Sequence, residues 1–372
     1  MQLSRIELYN FRNYARADIR PCPGITVFYG GNAQGKTALL EAVYLCCTGR
    51  SHRTSHDREL VRWGQQEGRV LINAHQRDGS HLVDMRLSAV ARKNVKVNGA
   101  PISRSGELMG HVTGVLFSPE DLRMVKDGPA ERRRFIDMEL SQIRPAYYYA
   151  LQRYNRALAQ RGCVLRAGAA GGAQLNTLDE WDGQLAAAGA QIVACRRAFL
   201  DELSQTAQRI HAGLTGNAEK MELAYRPSIE GDAHAILRAL FESRELDLRR
   251  GLNSVGPHRD DLQILLNGVD ARAYGSQGQQ RTAALSLKLS ELEVMRASSG
   301  EYPVLMLDDV MSELDPLRRQ ALLECLSGVQ TLISCTDPGD LAGARAGLMV
   351  RVKAGAALPD TGGEPAPDTA LN

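Results

Sequence analysis

Gly30-Gly31-Asn32-Ala33-Gln34-Gly35-Lys36-Thr37 decides how this 372-residue chain is read. It is a full G-x-x-x-x-G-K-[ST] run, entered by the β-rich stretch 25–29 and left by an apolar helical stretch, 36–47. Glycines allow the backbone to curl until several N–H groups point into one anion site at a helix N-terminus. In such a loop Gly30, Gly31, Asn32, Ala33, Gln34 and Gly35 cradle the phosphates of ATP. Lys36 neutralises the β- and γ-phosphates, and the Thr37 hydroxyl ligates Mg²⁺.

The loop needs an acid at the end of another buried strand. The apolar run 304–307, followed by Asp308-Asp309, meets that need. Asp308 is expected to hold Mg²⁺ directly or through water, and Asp309 to orient or deprotonate the attacking water. Lys36 and Asp309 are therefore the catalytic candidates. Nearly three quarters of the chain separates the loop from these acids, too much for a compact small-molecule kinase. Something is inserted between the two halves of one ATPase.

Composition agrees with a soluble globular protein of two or three units: 24% of residues are charged and 44% apolar. No stretch reaches the length of a membrane-spanning helix, and the first residues lack the apolar core of a signal peptide. Seven cysteines without a C-x-x-C pair read as thiols in a reducing cytoplasm, with Cys46 and Cys47 as core residues. The formal net charge of +2 hides a division: residues 1–126 carry +7, residues 127–250 carry +1 and residues 251–372 carry −6.

Strands are expected at 3–8, 70–75 and 82–89, with hairpin turns at Asn98-Gly99 and Asn267-Gly268. Helices are expected at 132–140 and from Pro145 to 161. An Ala/Gly linker at 167–173 leads to a long amphipathic helix at 178–212, with Leu185, Ile192, Phe199, Leu203 and Ile210 on one face. The expected organisation is an N-terminal ATPase half (1–126), an inserted helical lobe (127–250), a C-terminal ATPase half (251–353) and a disordered tail (354–372). The fold class is α/β, with a mixed sheet.

Further segments narrow the class. Tyr274-Gly275-Ser276-Gln277-Gly278-Gln279 precedes an apolar helix and resembles the L-S-G-G-Q signature of ABC-type ATPases. Ser312-Glu313-Leu314-Asp315 resembles their D-loop. Asn10-Phe11-Arg12-Asn13 resembles the N-F-[KR]-x motif of SMC-like repair ATPases, in which the arginine contacts nucleotide phosphate. Together with Ser51-His52-Arg53-Thr54, Phe117-Ser118-Pro119-Glu120-Asp121-Leu122 and Val255-Gly256-Pro257-His258-Arg259-Asp260-Asp261, these segments run in the order found in the RecF family, over residues 1–352.

That resemblance implies an SMC-like P-loop ATPase head whose inserted lobe stands in place of a long coiled coil. It implies an ATP-dependent homodimer in which Ser276, Gly278 and Gln279 of one copy complete the other's nucleotide site. It also implies slow, DNA-stimulated hydrolysis and work with RecR and RecO at single-strand gaps in recombinational repair and fork maintenance. Two departures from the ABC pattern argue for slow turnover. Residues 118–120 offer no metal-bridging glutamine, and Thr336-Asp337 stands where many members carry a switch histidine.

Arg50, His52, Arg53 and Arg58 follow the first helix and could meet a phosphate backbone without reading sequence, on single-stranded, gapped or duplex DNA. Aromatic residues make up only 5% of the chain, so a base-stacking platform is not expected. For Arg132-Arg133-Arg134, local pairing with Glu131 and Asp137 is expected. Two alternatives stay open: a phosphotransferase built on the same loop, and a clamp that binds ATP without hydrolysing it.

Overall fold

The computed structural model describes residues 1–169, 175–341 and 346–360, and the chain forms two compact units. One comprises residues 1–102 with the chain from Pro303 onward, and the other residues 103–302. The first opens with β1 (Gln2–Phe11), β2 (Tyr14–Ile19), β3 (Ile25–Tyr29), α1 (Lys36–Thr48), β4 (Glu67–Gln76), β5 (Gly79–Ser88), β6 (Asn94–Val97) and β7 (Ala100–Pro101). The second holds β8 (Gly114–Phe117), α2 (Arg123–Lys126), α3 (Pro129–Ile143), α4 (Pro145–Ala169), α5 (Leu178–Leu214), β9 (Met221–Arg226) and α6 (Ala233–Arg250). It continues with β10 (Asp261–Leu266), β11 (Val269–Asp270), α7 (Ala271–Tyr274) and α8 (Gln277–Ser299). The chain then returns to the first unit as β12 (Val304–Asp308), α9 (Pro316–Cys325), β13 (Thr331–Cys335), β14 (Ala346–Lys353) and β15 (Ala356–Pro359).

The boundaries therefore fall elsewhere than at 126 and 250. Residues 251–302, with the signature-like helix α8, group with the helical unit because α8 packs along α5.

In the first unit, an antiparallel sheet runs β2-β1-β4-β5-β6-β7. A second sheet carries the parallel order β14-β3-β13-β12, with β15 antiparallel on the outer side of β14. Helix α1 packs on β12 and β13 of one sheet and on β1 and β4 of the other. Being covered on both sides explains why it is apolar all round: Leu39, Leu40, Val43, Leu45, Cys46 and Cys47 are buried. Burial pushes the Cys46 thiol up, so it stays protonated and acts as a small core side chain. Asn98 (φ 51°) and Gly99 (φ 82°) make the expected turn between β6 and β7.

The tail expectation needs correction. Residues 354–360 are not disordered: Ala354 and Gly355 turn the chain with φ of 49° and 75°, and β15 pairs back on β14. Residues 361–372 lie outside the described residues.

In the helical unit, α4 packs on α5, and α5 also packs on α6, α8 and β9. Leu185, Ile192, Phe199 and Leu203 form the buried stripe of α5, while Ile210 is only half-buried. The Ala/Gly linker falls largely outside the described residues. Strand β9 and helix α6 were not expected from the sequence. β9 pairs with β10 antiparallel, from Asp261 opposite Arg226 to Leu266 opposite Met221.

The Pro257–Arg259 turn and the two acids after it tie this unit together. Arg196 Nη1 donates to the Pro257 carbonyl at 2.7 Å and to Asp260 at 2.9 Å. The Ser228 N–H donates to Asp260 at 2.7 Å, and the Tyr225 hydroxyl bonds the same carboxylate. Arg132 Nε reaches Asp261 at 2.7 Å, and Arg133 donates to the Asp260 carbonyl. The expected local ion pairing of Arg132 and Arg133 is thus corrected: these buried or half-buried guanidiniums need fixed acceptors, which they find at Asp260 and Asp261 and, for Arg132, also at the Met124 and Asp127 carbonyls. Asp137 is taken by Arg196 instead.

Candidate active site

The phosphate loop joins β3 to α1. Gly30 (φ 147°) and Gly35 (φ 119°) hold conformations that side chains avoid. A Cβ on Gly30 would lie 2.3 Å from the Val352 carbonyl oxygen, and one on Gly35 would lie 2.6 Å from Asn13. The loop is closely walled from outside. Asn13 Nδ2 donates to the Gln34 carbonyl at 2.7 Å, and the Tyr14 hydroxyl donates to the Gly35 carbonyl at 3.1 Å. The turn after β14 adds the Gly355 N–H to the Gln34 carbonyl at 3.1 Å and the Ala354 N–H to Gln34 Oε1 at 2.7 Å.

Lys36 is buried, and its ammonium lies along the loop, donating to the Gly30 and Gly31 carbonyls at 2.8 and 3.0 Å. Thr37 Oγ1 donates to Asp308 Oδ1 at 2.9 Å although 271 positions separate them. The order β3-β13-β12 brings them together. Two hard oxygen donors converge at the loop, which fits Mg²⁺, an ion held by one or two protein oxygens with phosphate and water.

Ser334, on β13, was not foreseen. Its hydroxyl donates to Asp308 Oδ1 at 2.6 Å and accepts the Asp309 N–H at 3.0 Å. The Asp309 N–H also lies 3.2 Å from the Ser334 carbonyl. These bonds hold Asp309 at φ 56°, a conformation uncommon outside glycine. The D-loop-like stretch follows: Ser312 Oγ donates to the Asp309 carbonyl, and Asp315 caps α9 through the Arg318 N–H.

Arg12 is held by α1 and by the turn that follows it. Its guanidinium forms a paired bridge to Glu41 on α1, Nε to Oε2 at 2.8 Å and Nη2 to Oε1 at 2.6 Å, and Nη1 donates to the Glu59 carbonyl. Glu41 is fully buried, and an isolated carboxylate there would be costly. Burial alone would raise its pKa, but hydrogen bonds from Arg12 and Ser51 bring it net below the usual carboxylate range. A lone acid inside an apolar helix was the signal that could have found this partner. Ser51 Oγ also accepts the N–H groups of Arg53 and Thr54 at 3.0 and 3.2 Å. The N-F-R and S-H-R-T segments thus meet at Glu41.

Among the DNA candidates, Arg50, Arg53 and Arg58 are exposed. His52 is half-buried, its ring edge-on to Tyr44 at 5.5 Å between centroids. In the helical unit, Ser276 and Gly278 lie exposed at the N-terminus of α8. Ser276 Oγ accepts the Gln279 N–H at 3.2 Å, and Gln279 Oε1 accepts the Ser276 N–H at 2.9 Å, a reciprocal cap. Where a metal-bridging glutamine would stand, Ser118 and Asp121 form a similar cap over the Pro119–Leu122 turn.

Residues 2–355 match the model of the RecF/RecN/SMC N-terminal domain. The DNA replication and repair protein RecF of Alkaliphilus oremlandii is 44% identical over 344 residues, covering 90% of this chain and 93% of that protein. Its counterpart from Acetivibrio thermocellus is 43% identical over 367 residues, covering 95% and 99%. The solved structure of the recombination mediator protein RecF with ATP, from the RecFOR pathway, superposes with a TM-score of 0.90 at 36% identity, covering 96% of this chain and 97% of that one. An SMC head bound to the C-terminal winged-helix domain of ScpA shares the fold at a TM-score of 0.59 and 15% identity.

Proposed function

The chain belongs to the RecF/RecN/SMC family, and from that premise we propose that it is an ATP-binding DNA repair and replication protein working as an ATP-driven switch. The observation that carries this reading is the 2.9 Å link between Thr37 and Asp308, which closes a phosphate-loop site on a buried helix.

The loop N–H groups and the N-terminus of α1 bind the ATP phosphates, and Lys36 turns its ammonium from the loop carbonyls toward the β,γ-bridge. Thr37 and Asp308 hold Mg²⁺, which supplies charge neutralisation at the phosphates. Asp309 orients the attacking water and accepts its proton at a carboxylate oxygen. The signature-like N-terminus of α8 from a second copy completes the site, so ATP closes a homodimer and hydrolysis opens it. Turnover is slow and rises on DNA. Exposed arginines take up the phosphate backbone without reading sequence. RecR and RecO are its partners at single-strand gaps, in the cytoplasm. The small-molecule kinase reading is not favoured, because the relatives bear the name of a replication and repair protein.

Light scattering tests this reading. With ATP, Mg²⁺ and gapped DNA the wild-type mass should double, while Lys36→Met should remain monomeric. A wild-type protein that stays monomeric in every condition overturns the switch.

A further inference from the structure

Trp63 is 97% exposed. A single exposed apolar side chain is ordinary on a protein surface, so exposure by itself says little. The setting of Trp63 says more. It occupies, with Gly64 at φ 80°, the centre of a turn closed by the Gln65 N–H on the Arg62 carbonyl at 3.0 Å. That turn is pinned on both flanks. The Arg62 N–H bonds the Asn10 carbonyl at 2.8 Å, and Val61 bridges Phe11. On the other flank, the Gln66 carbonyl accepts the Ala89 N–H at 2.9 Å, which brings up the loop bearing Val90, itself 87% exposed. The indole is presented on a fixed mount instead of a loose loop.

The surrounding charge selects the occupant. Lys93, on the Val90 loop, donates to the Gly49 carbonyl at 2.7 Å and to Asp57 at 2.9 Å, joining that loop to the end of α1 and to the turn that carries Arg58. Arg53, Arg58 and Arg92 are exposed on these joined loops, and none has an ion-pair partner among the described residues. Glu59 and Glu67 are also exposed on this stretch, but an aromatic ring on a loop tied by these bonds to loops bearing unpaired arginines matches a polyanion that also carries flat rings, which is a nucleic acid with an unpaired base.

We infer that Trp63 stacks on an unpaired nucleobase where a duplex passes into single strand, while the neighbouring arginines hold the phosphates. This rests on the DNA-binding reading above and deepens it, because phosphate contacts alone cannot separate a junction from a blunt duplex. The low aromatic content of the chain argued against a platform of several rings. One ring on a rigid turn suffices to mark a junction.

The test uses the full-length chain with ATP and Mg²⁺, and Trp181→Phe leaves Trp63 as the remaining fluorophore of the two tryptophans. Two probes share one duplex, blunt or carrying a single-stranded extension. Tailed DNA should quench the Trp63 emission and blunt DNA should not. In the otherwise wild-type chain, Trp63→Ala should weaken tailed-DNA binding about tenfold. Blunt-duplex affinity and the salt dependence of binding should stay unchanged, because no phosphate contact is lost. Trp63→Phe should restore part of the loss. Equal weakening on both DNAs overturns the inference, and so does unchanged tailed-DNA affinity, which would assign the ring to a protein partner. Wild-type protein that binds neither probe overturns the DNA-binding reading itself, and the inference with it.

Discussion

Ser334 is the residue that joins the two acids of the site. Its hydroxyl donates to the Asp308 carboxylate at 2.6 Å and accepts the Asp309 N–H at 3.0 Å, fixing the proposed metal ligand and its strained neighbour together. Partners that orient a metal ligand commonly matter about tenfold or more. Ser334→Ala is therefore expected to lower ATP turnover about tenfold, with a smaller change in nucleotide affinity. Steady-state hydrolysis beside nucleotide titration checks this, and unchanged turnover would remove Ser334 from the site. A second residue carries a pH signature. His258 is half-buried beside Tyr154, its Nδ1 2.7 Å from the tyrosine hydroxyl, and its loss of solvent lowers its pKa from 6.5 to about 4, with nearby Arg259 and Arg133 adding to the effect. Between those values the unfolded chain binds a proton that the folded chain refuses. The stabilisation from His258 is thus complete above its unfolded pKa and is lost as pH falls through 6.5 toward 4. At pH 5 the loss should be about 2 kcal/mol. Buried Glu139, Glu291 and Asp260, whose pKa values burial raises, contribute with the opposite sign. The check is therefore a signed difference: in urea unfolding, stability at pH 7 minus stability at pH 5 should be smaller in His258→Gln than in wild type, by about 2 kcal/mol.

At the scale of elements, the hairpin of β14 and β15 is the outer wall of the phosphate loop. Gly355 lies so close that a Cβ would come within 2.3 Å of the Asn13 carbonyl oxygen, and Asn13 itself bonds the loop at Gln34. Gly355→Val should push this turn off Gln34 and weaken ATP binding by at least about tenfold, since small displacements of a positioned site are costly. Gly79→Ala is the control. It strains a glycine at φ 138° with nothing within 4 Å of the new methyl, so it should lower stability and leave ATP affinity alone. Titration with a fluorescent ATP analogue separates the two, and equal affinities would show that the hairpin does not position the loop. This wall also marks where reading the sequence stopped. The loop and Asp308 were legible because each is a local pattern, a glycine spacing or an apolar strand ending in acid. Ser334 and Gly355 were not, because their roles arise only when β14, β3, β13 and β12 line up side by side. The turn Ala354-Gly355 lacks the Asn-Gly signal that revealed Asn98-Gly99, and its Gly- and Pro-rich surroundings read as tail. Arg132 failed for the same reason: its acceptor, Asp261, is 129 positions away.

For the whole molecule, the net charge of +2 conceals both a sequence division and a second sorting that folding performs. Several cations of the first 126 residues are paired with acids of the same stretch: Arg5 with Asp18, Arg12 with Glu41, Arg69 with Asp84 and Lys93 with Asp57. Arg50, Arg53, Arg58 and Arg92 are the exposed arginines of the loops around α1 that have no ion-pair partner among the described residues. A paired cation brings its own counter-charge and gains little from a DNA phosphate, whereas an unpaired one displaces condensed counterions when it binds. Replacing both Arg50 and Arg53 by Ala should thus make the slope of log affinity against log salt for duplex DNA shallower by about 1.8, two contacts at roughly 0.9 each. Lys93→Ala should leave that slope unchanged and lower the thermal midpoint instead, because it unties two loops without removing a phosphate contact. Titrations at several salt concentrations, with ATP held constant, decide the matter. A double variant with the wild-type slope would place the DNA on another face of the molecule, and a Lys93 variant with a reduced slope would mean that its bridge to Asp57 opens when DNA binds.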